Sequence, residues 1–386
     1  MESYRNRAAQ NQRIRRKKKK RKHILVFSLI LLLLIMAGVL IVLSLVSKID
    51  EIKNHPLEHI AVNEGLADGH LKNYTNIVVF GVDSRANALH ENTRSDSIIL
   101  VSINNKTHDV KLTSIFRDTY TRIDGHGYTK INHAYSYGGP DLAVNTINQN
   151  FDLNVQDFIT VNFSALSNVI DALGGITLNI HKDELKWVNA YARDVAKING
   201  MKYEKIKKPG KQTVTGVQAT GYCRVRYTSG GDFTRAKRQR RVLTAIMEKA
   251  KKSSPMRLYR VLNEMLPQIY TSLTTQEILH LGMYLPFYDI KNSKGFPYEL
   301  DCHRASDGIY YDFPTTLSSN VTKLHKKLFG TVNYKPTKTV EEITDPLPAF
   351  IPSGKGVELL YENSRTTDHC FSFHYDISAG IDRTLL

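Results

Sequence analysis

Residues 222–240 read YCRVRYTSGGDFTRAKRQR, and the rest of the chain is organised around them. Arg224 and Arg226 stand two apart in a run with strand character, so they share one face. Gly230 and Gly231 mark a turn, and Asp232 is the expected N-cap of the helix that follows. On that helix Arg235, Arg238 and Gln239 align with Val242, Leu243, Ile246, Met247 and Ala250. The stripe is apolar along its C-terminal turns and faces the core, so its polar end is expected to point into the molecule or into a cavity. Buried arginines need an anionic partner, because an unpaired buried charge is too costly. Four guanidiniums on one cleft suit a phosphate or pyrophosphate. Internal salt bridges are the alternative for Arg235, Arg238 and Gln239. Lys237, Arg240 and Arg241 fall on other faces and are expected to be solvated. Cys223 is expected to pack on the side opposite Arg224.

Upstream, three short apolar, β-branched runs have the character of buried strands: 76–82 (NIVVFGV), 97–103 (SIILVSI) and 110–116 (VKLTSIF). Asp83 and Arg85 follow the first, Arg94 and Asp96 precede the second, and Arg117 and Asp118 follow the third. Charges gathered at strand ends point to a site at the edge of an α/β sheet, although surface loops are often charged in any case. In 128–151 (YTKINHAYSYGGPDLAVNTINQNF) a short helix or turn is broken by Gly138–Gly139 before an amphipathic helix begins at Pro140. The glycine pair could host an anion or be a plain turn. His133 is a candidate acid or base, or a packing residue. Strands over 158–161 and 176–180 and a helix over 165–173 continue the alternation. Residues 182–212 are Lys-rich, with an amphipathic segment at 187–195, and read as a flap or a solvated insertion. Helical patterns at 255–266, 275–285 and 314–328 could enclose an apolar tunnel or simply pack a core.

The chain has 386 residues, a net charge of +16, 41% hydrophobic residues, one Trp and three Cys. Cys223, Cys302 and Cys370 are too scattered for a disulfide framework or a zinc site. The basic excess sits at one end, where residues 1–22 hold eleven Lys or Arg against a single Glu. Residues 24–46 then run for 23 positions without a charge, enough to cross a bilayer core of about 30 Å as a helix. With the basic cluster on its N-terminal side, the segment orients the N-terminus to the cytoplasm. The expected organisation is a cytoplasmic tail (1–23), a transmembrane helix (24–47), a linker (48–74), an extracytoplasmic catalytic domain (75–330) and a loosely ordered tail (331–386). This topology accounts for the basic tail as an orientation signal at the cell membrane, and no nucleic-acid partner is expected.

The ordered blocks GVDSR (81–85), RSDSIIL (94–100), SIFRDTY (114–120), KINHAYSYGG (130–139), DALGGI (171–176) and CRVR…GDFTRAKRQ (223–239) resemble the LytR–CpsA–Psr family of cell-wall enzymes over roughly 75–330. Phe116 departs from the proline that the family often has before its Arg-Asp pair. The resemblance implies an α/β domain with a central mixed β-sheet flanked by helices on both sides. It implies a tunnel for a polyprenyl tail and an arginine-lined pocket for its pyrophosphate. The implied activity is phosphotransfer of a lipid-linked anionic glycopolymer (teichoic acid or capsule-type) to peptidoglycan, with Mg²⁺, releasing polyprenyl phosphate. On that basis Arg85, Arg94, Arg117, Arg224, Arg226, Arg235, Arg238 and Gln239 would bind the pyrophosphate, and Asp83 and Asp96 the metal. Asp96 and Arg117 would be catalytic, with Asp118 holding Arg117. A membrane-bound regulator of envelope genes and a polyprenyl-pyrophosphate hydrolase are the alternative functions.

Overall fold

In the computed structural model of the chain the described residues are 53–66, 68–84, 89, 90, 93–305 and 307–344, together with Met36, Gly38, Leu40 and Ser44. The chain divides into units of residues 1–51 and 52–386. In the first unit the four described positions are helical. The basic tail and the rest of the expected transmembrane stretch lie outside the described residues, among which no helix is long and apolar enough to cross a membrane.

In the second unit the described strands of the main sheet are β1 (Lys53–Asn54), β2 (Tyr74–Val82), β3 (Ser95–Asn104), β4 (Asp109–Ile115), β5 (Asp157–Asn162), β6 (Ile269–Thr271) and β7 (Asp289–Phe296). Their spatial order is β1-β6-β5-β2-β3-β4-β7. β2, β3 and β4 form an antiparallel meander, while β5 lies parallel to β2 and β7 parallel to β4. The sheet is therefore mixed. The helices are α1 (His133–Phe151), α2 (Phe163–Ala172), α3 (Leu185–Asn199), α4 (Gly216–Arg224), α5 (Gly231–Lys251), α6 (Pro255–Met265), α7 (Thr275–Tyr284), α8 (Leu317–Phe329) and α9 (Lys338–Thr344).

Strand alternation sends side chains to two faces, and each face has its own core. Val78, Phe80, Val82, Ile98 and Leu100 pack with residues of α1, α8 and α9, such as Tyr135, Val144, Leu324 and Ile343. Val79, Ile99, Val101 and Ile103 belong instead with Leu243 and Met247 of α5 and Leu281 and Tyr284 of α7. Helices on both faces agree with the expected fold class. A separate core joins α2, α3 and α4 to the antiparallel strand pair Ile176–Ile180 and Gly210–Val214.

Four expectations are corrected. The CRVR run straddles the end of a helix and is not a strand: Thr215 and Gln218 close a capping box at the start of α4, Cys223 and Arg224 are its last residues, and Val225 is extended. Residues 182–212 are not a solvated insertion, because Val188, Ala192 and Val195 of α3 are buried against the body. The linker joins the domain from Lys53 onward, where β1 extends the sheet beside β6. The domain also runs past 330, with Val340 and Ile343 fully buried; the rest of the expected tail, 345–386, lies outside the described residues.

Asp152 explains both extensions. It caps α1 in the left-handed region, at φ 52°, a conformation that short polar side chains tolerate. Its buried carboxylate accepts from Asn63 Nδ2 (2.6 Å), Tyr334 Oη (3.0 Å), Thr337 Oγ1 (2.6 Å) and the Thr337 amide (2.8 Å).

Candidate active site

The strand-end charges converge because of a defect in the sheet. Along the β2–β3 ladder Gly81 pairs with Ser97 but Val82 pairs with Ser95, so Asp96 is an extra residue in a bulge. A bulge re-aims side chains and frees backbone groups from the ladder. Asp96 accordingly lines a cavity of about 320 Å³, together with Asp83 at the end of β2 and Arg117 just after β4. Its backbone carbonyl accepts from Arg235 Nη2.

The other wall is built by α4 and α5. Gly230 and Gly231 make the turn between them, with φ of 90° and 42°. A Cβ at Gly230 would lie 1.8 Å from Thr234 Oγ1, so only glycine fits. The N-cap of α5 is Gly230 without a side-chain cap, which corrects the role expected of Asp232. Asp232 instead stands in the first turn among three guanidiniums: Arg117 Nε at 3.2 Å, Arg226 Nε at 3.4 Å and Arg235 Nη1 at 3.0 Å. Arg117 Nη1 also donates to Asp96 Oδ1 (2.5 Å), and its Nε lies 3.5 Å from Asp118 Oδ2. Lys130 Nζ holds the other oxygen of Asp118 at 2.9 Å.

Arg224 is held differently. Its guanidinium lies over the rings of Phe163 (5.0 Å) and Tyr191 (5.6 Å) and makes no ion pair among the described residues. With its charge supported by ring faces alone, it is available to an anion in the cavity. Gln239 also lines the cavity and makes no side-chain hydrogen bond among the described residues.

Burial would raise the Asp96 carboxyl, but Arg117, Arg235 and Arg226 overcome it and hold the group below the usual carboxylate range. Burial, reinforced by Arg226 and Arg117, lowers Arg235 to about 10. The arginines thus repel one another as well as pairing with carboxylates, which is the electrostatic condition of a site that gains by taking up an anion. Burial pushes the Cys223 thiol up to about 12, so this cavity-lining residue is packing and not a nucleophile. Behind Asp118 lies Asp312, whose buried carboxyl is raised to about 8 by desolvation, with Asp118 and Asp232 adding to the rise.

Of the residues singled out in the sequence, Asp83, Asp96, Arg117, Arg224, Arg226, Arg235 and Gln239 come together here. Arg85 lies outside the described residues. Arg94 is exposed at the entry to β3 and does not line the cavity. Arg238 is a correction. It is 1% exposed and fully engaged by Glu184 Oε1 (2.9 Å), the Val225 carbonyl (3.0 Å) and Thr228 Oγ1 (2.5 Å). It ties α3 to the loop that carries Arg226. Arg240 is also buried rather than solvated, donating to Ser293 Oγ at 2.8 Å. Phe163, Tyr191 and the hub role of Asp232 were not foreseen. Only the amphipathic pattern at 187–195 hinted at Tyr191.

Asp83 is exposed and forms no ion pair with another described residue, so both of its oxygens are open; Asp96 Oδ1 is bonded to Arg117, and its Oδ2 faces Arg226 Nη2 only at 4.0 Å. Mg²⁺ takes one or two carboxylates and completes its shell with phosphate oxygens and water, and this pair fits that demand. Among the described residues no group of three or more His, Cys, Asp or Glu forms an all-protein metal site.

On the second sheet face, Val79, Val101, Leu243, Met247, Leu281, Tyr284 and Leu285 are only partly buried. α6 carries Leu258, Val261, Leu262 and Met265 at helical spacing, yet none of its residues is buried. The helical layer beside the cavity thus leaves much apolar surface incompletely covered.

The sequence matches the model of the family described as "LytR_cpsA_psr family" over residues 39–327. A relative from Bacillus cereus, "Polyisoprenyl-teichoic acid--peptidoglycan teichoic acid transferase TagU", is 32% identical over 288 residues, covering 73% of this chain and 88% of the relative. A solved structure described as "TagT bound to LI-WTA" superposes with a TM-score of 0.54 at 26% identity, over 71% of this chain and 100% of that one. Another, "LytR-CPS2A-psr family protein YwtF (TagT) with bound octaprenyl pyrophosphate lipid", superposes with a TM-score of 0.50 at 25% identity and the same coverage.

Proposed function

The chain belongs to the LytR–CpsA–Psr family, and from that premise we propose that it is a phosphotransferase. It moves an anionic glycopolymer from a polyprenyl-pyrophosphate carrier to a hydroxyl of peptidoglycan and releases polyprenyl phosphate. The observation that carries this reading is the cavity in which Arg117, Arg224, Arg226 and Arg235 face Asp83 and Asp96. A relative named as a teichoic acid transferase and a structural neighbour with octaprenyl pyrophosphate bound support it.

Phosphoryl transfer asks mainly for positioning and charge neutralisation. Arg224 and Arg226 bind the pyrophosphate oxygens from the end of α4, Arg235 from α5 and Arg117 from the sheet side, with Gln239 adding a neutral donor. The acceptor oxygen attacks the phosphorus that bears the glycan. The bond from that phosphorus to the bridging oxygen breaks, and polyprenyl phosphate leaves with the bridging oxygen. The hydroxyl proton passes to Asp96. A carboxylate held so acidic is a weak base, which suits a loose transition state that needs little proton removal in advance. Asp83 and Asp96 would hold Mg²⁺, which when bound supplies further neutralisation of the pyrophosphate. The polyprenyl tail occupies the incompletely covered apolar layer between the second sheet face and α5 to α7. Residues 24–47 anchor the protein in the cell membrane, with 1–23 cytoplasmic and the catalytic domain outside, where such a donor is found.

The test uses the full chain in detergent with Mg²⁺, a radiolabelled polyprenyl-pyrophosphate glycan and a peptidoglycan oligosaccharide. Label should move to the oligosaccharide, and Arg226→Ala should lose that transfer. Label released as soluble product with or without acceptor would make the protein a hydrolase.

A further inference from the structure

A second cavity, of about 360 Å³, opens on the other side of the catalytic end of the sheet, where α1 breaks at Gly138 and Gly139. Its walls are aromatic and polar. Tyr137 is 48% exposed and stacks on His126 with ring centroids 4.3 Å apart and planes 20° from parallel. Tyr270 stacks on His55 (5.2 Å) and lies against His90 (5.4 Å). Asp141 is fixed in place: its Oδ2 is 2.7 Å from His55 Nε2, and its Oδ1 accepts from the Glu58 amide at 3.0 Å. The break itself is required, because Gly139 has φ 60° and a Cβ there would press on the His90 carbonyl at 3.1 Å.

Short contacts lead from this cavity to the catalytic one. Tyr137 lies 5.8 Å from the His133 ring. His133 meets Thr129 Oγ1 at 3.0 Å, beside Lys130, and Lys130 pairs with Asp118 next to Arg117. His90 and Arg94 come from the same β2–β3 connection that presents Asp83.

We propose that the Tyr137 cavity is the acceptor subsite, which holds a hexosamine ring of the glycan strand stacked on Tyr137 and hydrogen-bonded by Asp141. The assignment rests on the transferase reading above. Flat ring faces joined to a few fixed polar groups are the chemistry that binds a pyranose, whose faces are C–H and whose rim is hydroxyl and amide. The side of the sheet selects the acceptor over the donor. In-line displacement brings the nucleophile in opposite the leaving group. The leaving polyprenyl phosphate is drawn toward the α5 to α7 face, so the hydroxyl must arrive from the α1 face, where this cavity lies.

The probe is a tetrasaccharide of alternating N-acetylglucosamine and N-acetylmuramic acid, titrated calorimetrically into the full chain without any donor. Tyr137→Ala should weaken its binding about tenfold, roughly one lost stacking contact, while Tyr137→Phe should stay within about twofold. Asp141→Asn, which keeps the ring, should weaken it as well. In the transfer assay Tyr137→Ala should raise the acceptor KM and leave the donor KM unchanged. An unchanged acceptor KM in a variant that still transfers overturns the subsite, and so does a change confined to the donor KM. A wild-type protein that fails to bind the tetrasaccharide overturns it too. Tetrasaccharide binding that is lost with Tyr137 in a protein that only hydrolyses its donor upholds the glycan site but overturns its acceptor role together with the transferase reading.

Discussion

Arg238 and Glu184 form a buried ion pair, 1% and 3% exposed, that holds α3 against the loop of Arg226. Replacing Arg238 by Met removes one charge and strands the other. Breaking such a pair from one side costs about 3–5 kcal/mol, or a fall in Tm of roughly 5–8 °C for a domain of this size. Part of the loss comes from the Val225 carbonyl and Thr228, whose bonds to Arg238 are worth about 1 kcal/mol each. The remainder is the stranded carboxylate. Glu184→Gln in the same chain neutralises it while still accepting from the His181 amide, a bond of 2.9 Å. The double variant should therefore regain about 1–3 kcal/mol. Thermal denaturation followed by circular dichroism measures the stabilities, and donor binding at low temperature measures the site. The reasoning is refuted if Arg238→Met melts with the wild type yet no longer binds donor, since Arg238 would then belong to the pyrophosphate clamp.

Other perturbations separate the remaining roles. Arg224→Ala should cut transfer by about 10- to 100-fold, the loss of one charge-assisted contact, with only a small change in Tm because its ring contacts are weak; equal losses of both would contradict this. Asp83→Asn should raise the Mg²⁺ needed for half-maximal rate by about tenfold without changing Tm, and an unaltered Mg²⁺ titration would remove it from the metal site. Asp312 is raised to about 8 in the fold, so its contribution to stability is complete below the unfolded carboxyl pKa and is lost as pH rises through about 8. Asp312→Asn should accordingly gain stability relative to wild type at pH 9 but not at pH 4, and a pH-independent difference between their melting curves would refute the sign.

The central strands could be read from sequence because each core strand carries its own signal in apolar, β-branched residues. The bulge at Asp96 could not, since it depends on how β2 and β3 register. The run around Arg224 reads as a strand because four alternating residues satisfy a strand and also the end of a helix; the capping box at Thr215 and Gln218 is what decides for the helix. Asp232 and Arg238 show a second limit. Helical periodicity placed Arg235 and Arg238 on one face, but a turn of helix separates the residue that meets the cavity from the one that meets Glu184. The contributions of Asn63 and Thr337 left no local pattern, because their partner is far away in sequence.

That distance bears on how the protein is made. Asn63 and Thr337 share the Asp152 carboxylate across 274 residues of chain. Residues near the start of the domain therefore wait, without their final partners, until nearly all of it has been synthesised. Local hairpins and helices can form as they emerge, but the closing contact is among the last available, and long-range closure slows folding. The nascent domain is thus exposed to proteases for longest in its earliest-made segment. An expression fragment begun at 75 would lack Asn63, and one ended at 330 would lack Tyr334 and Thr337, so each would leave part of the buried Asp152 carboxylate without its partners.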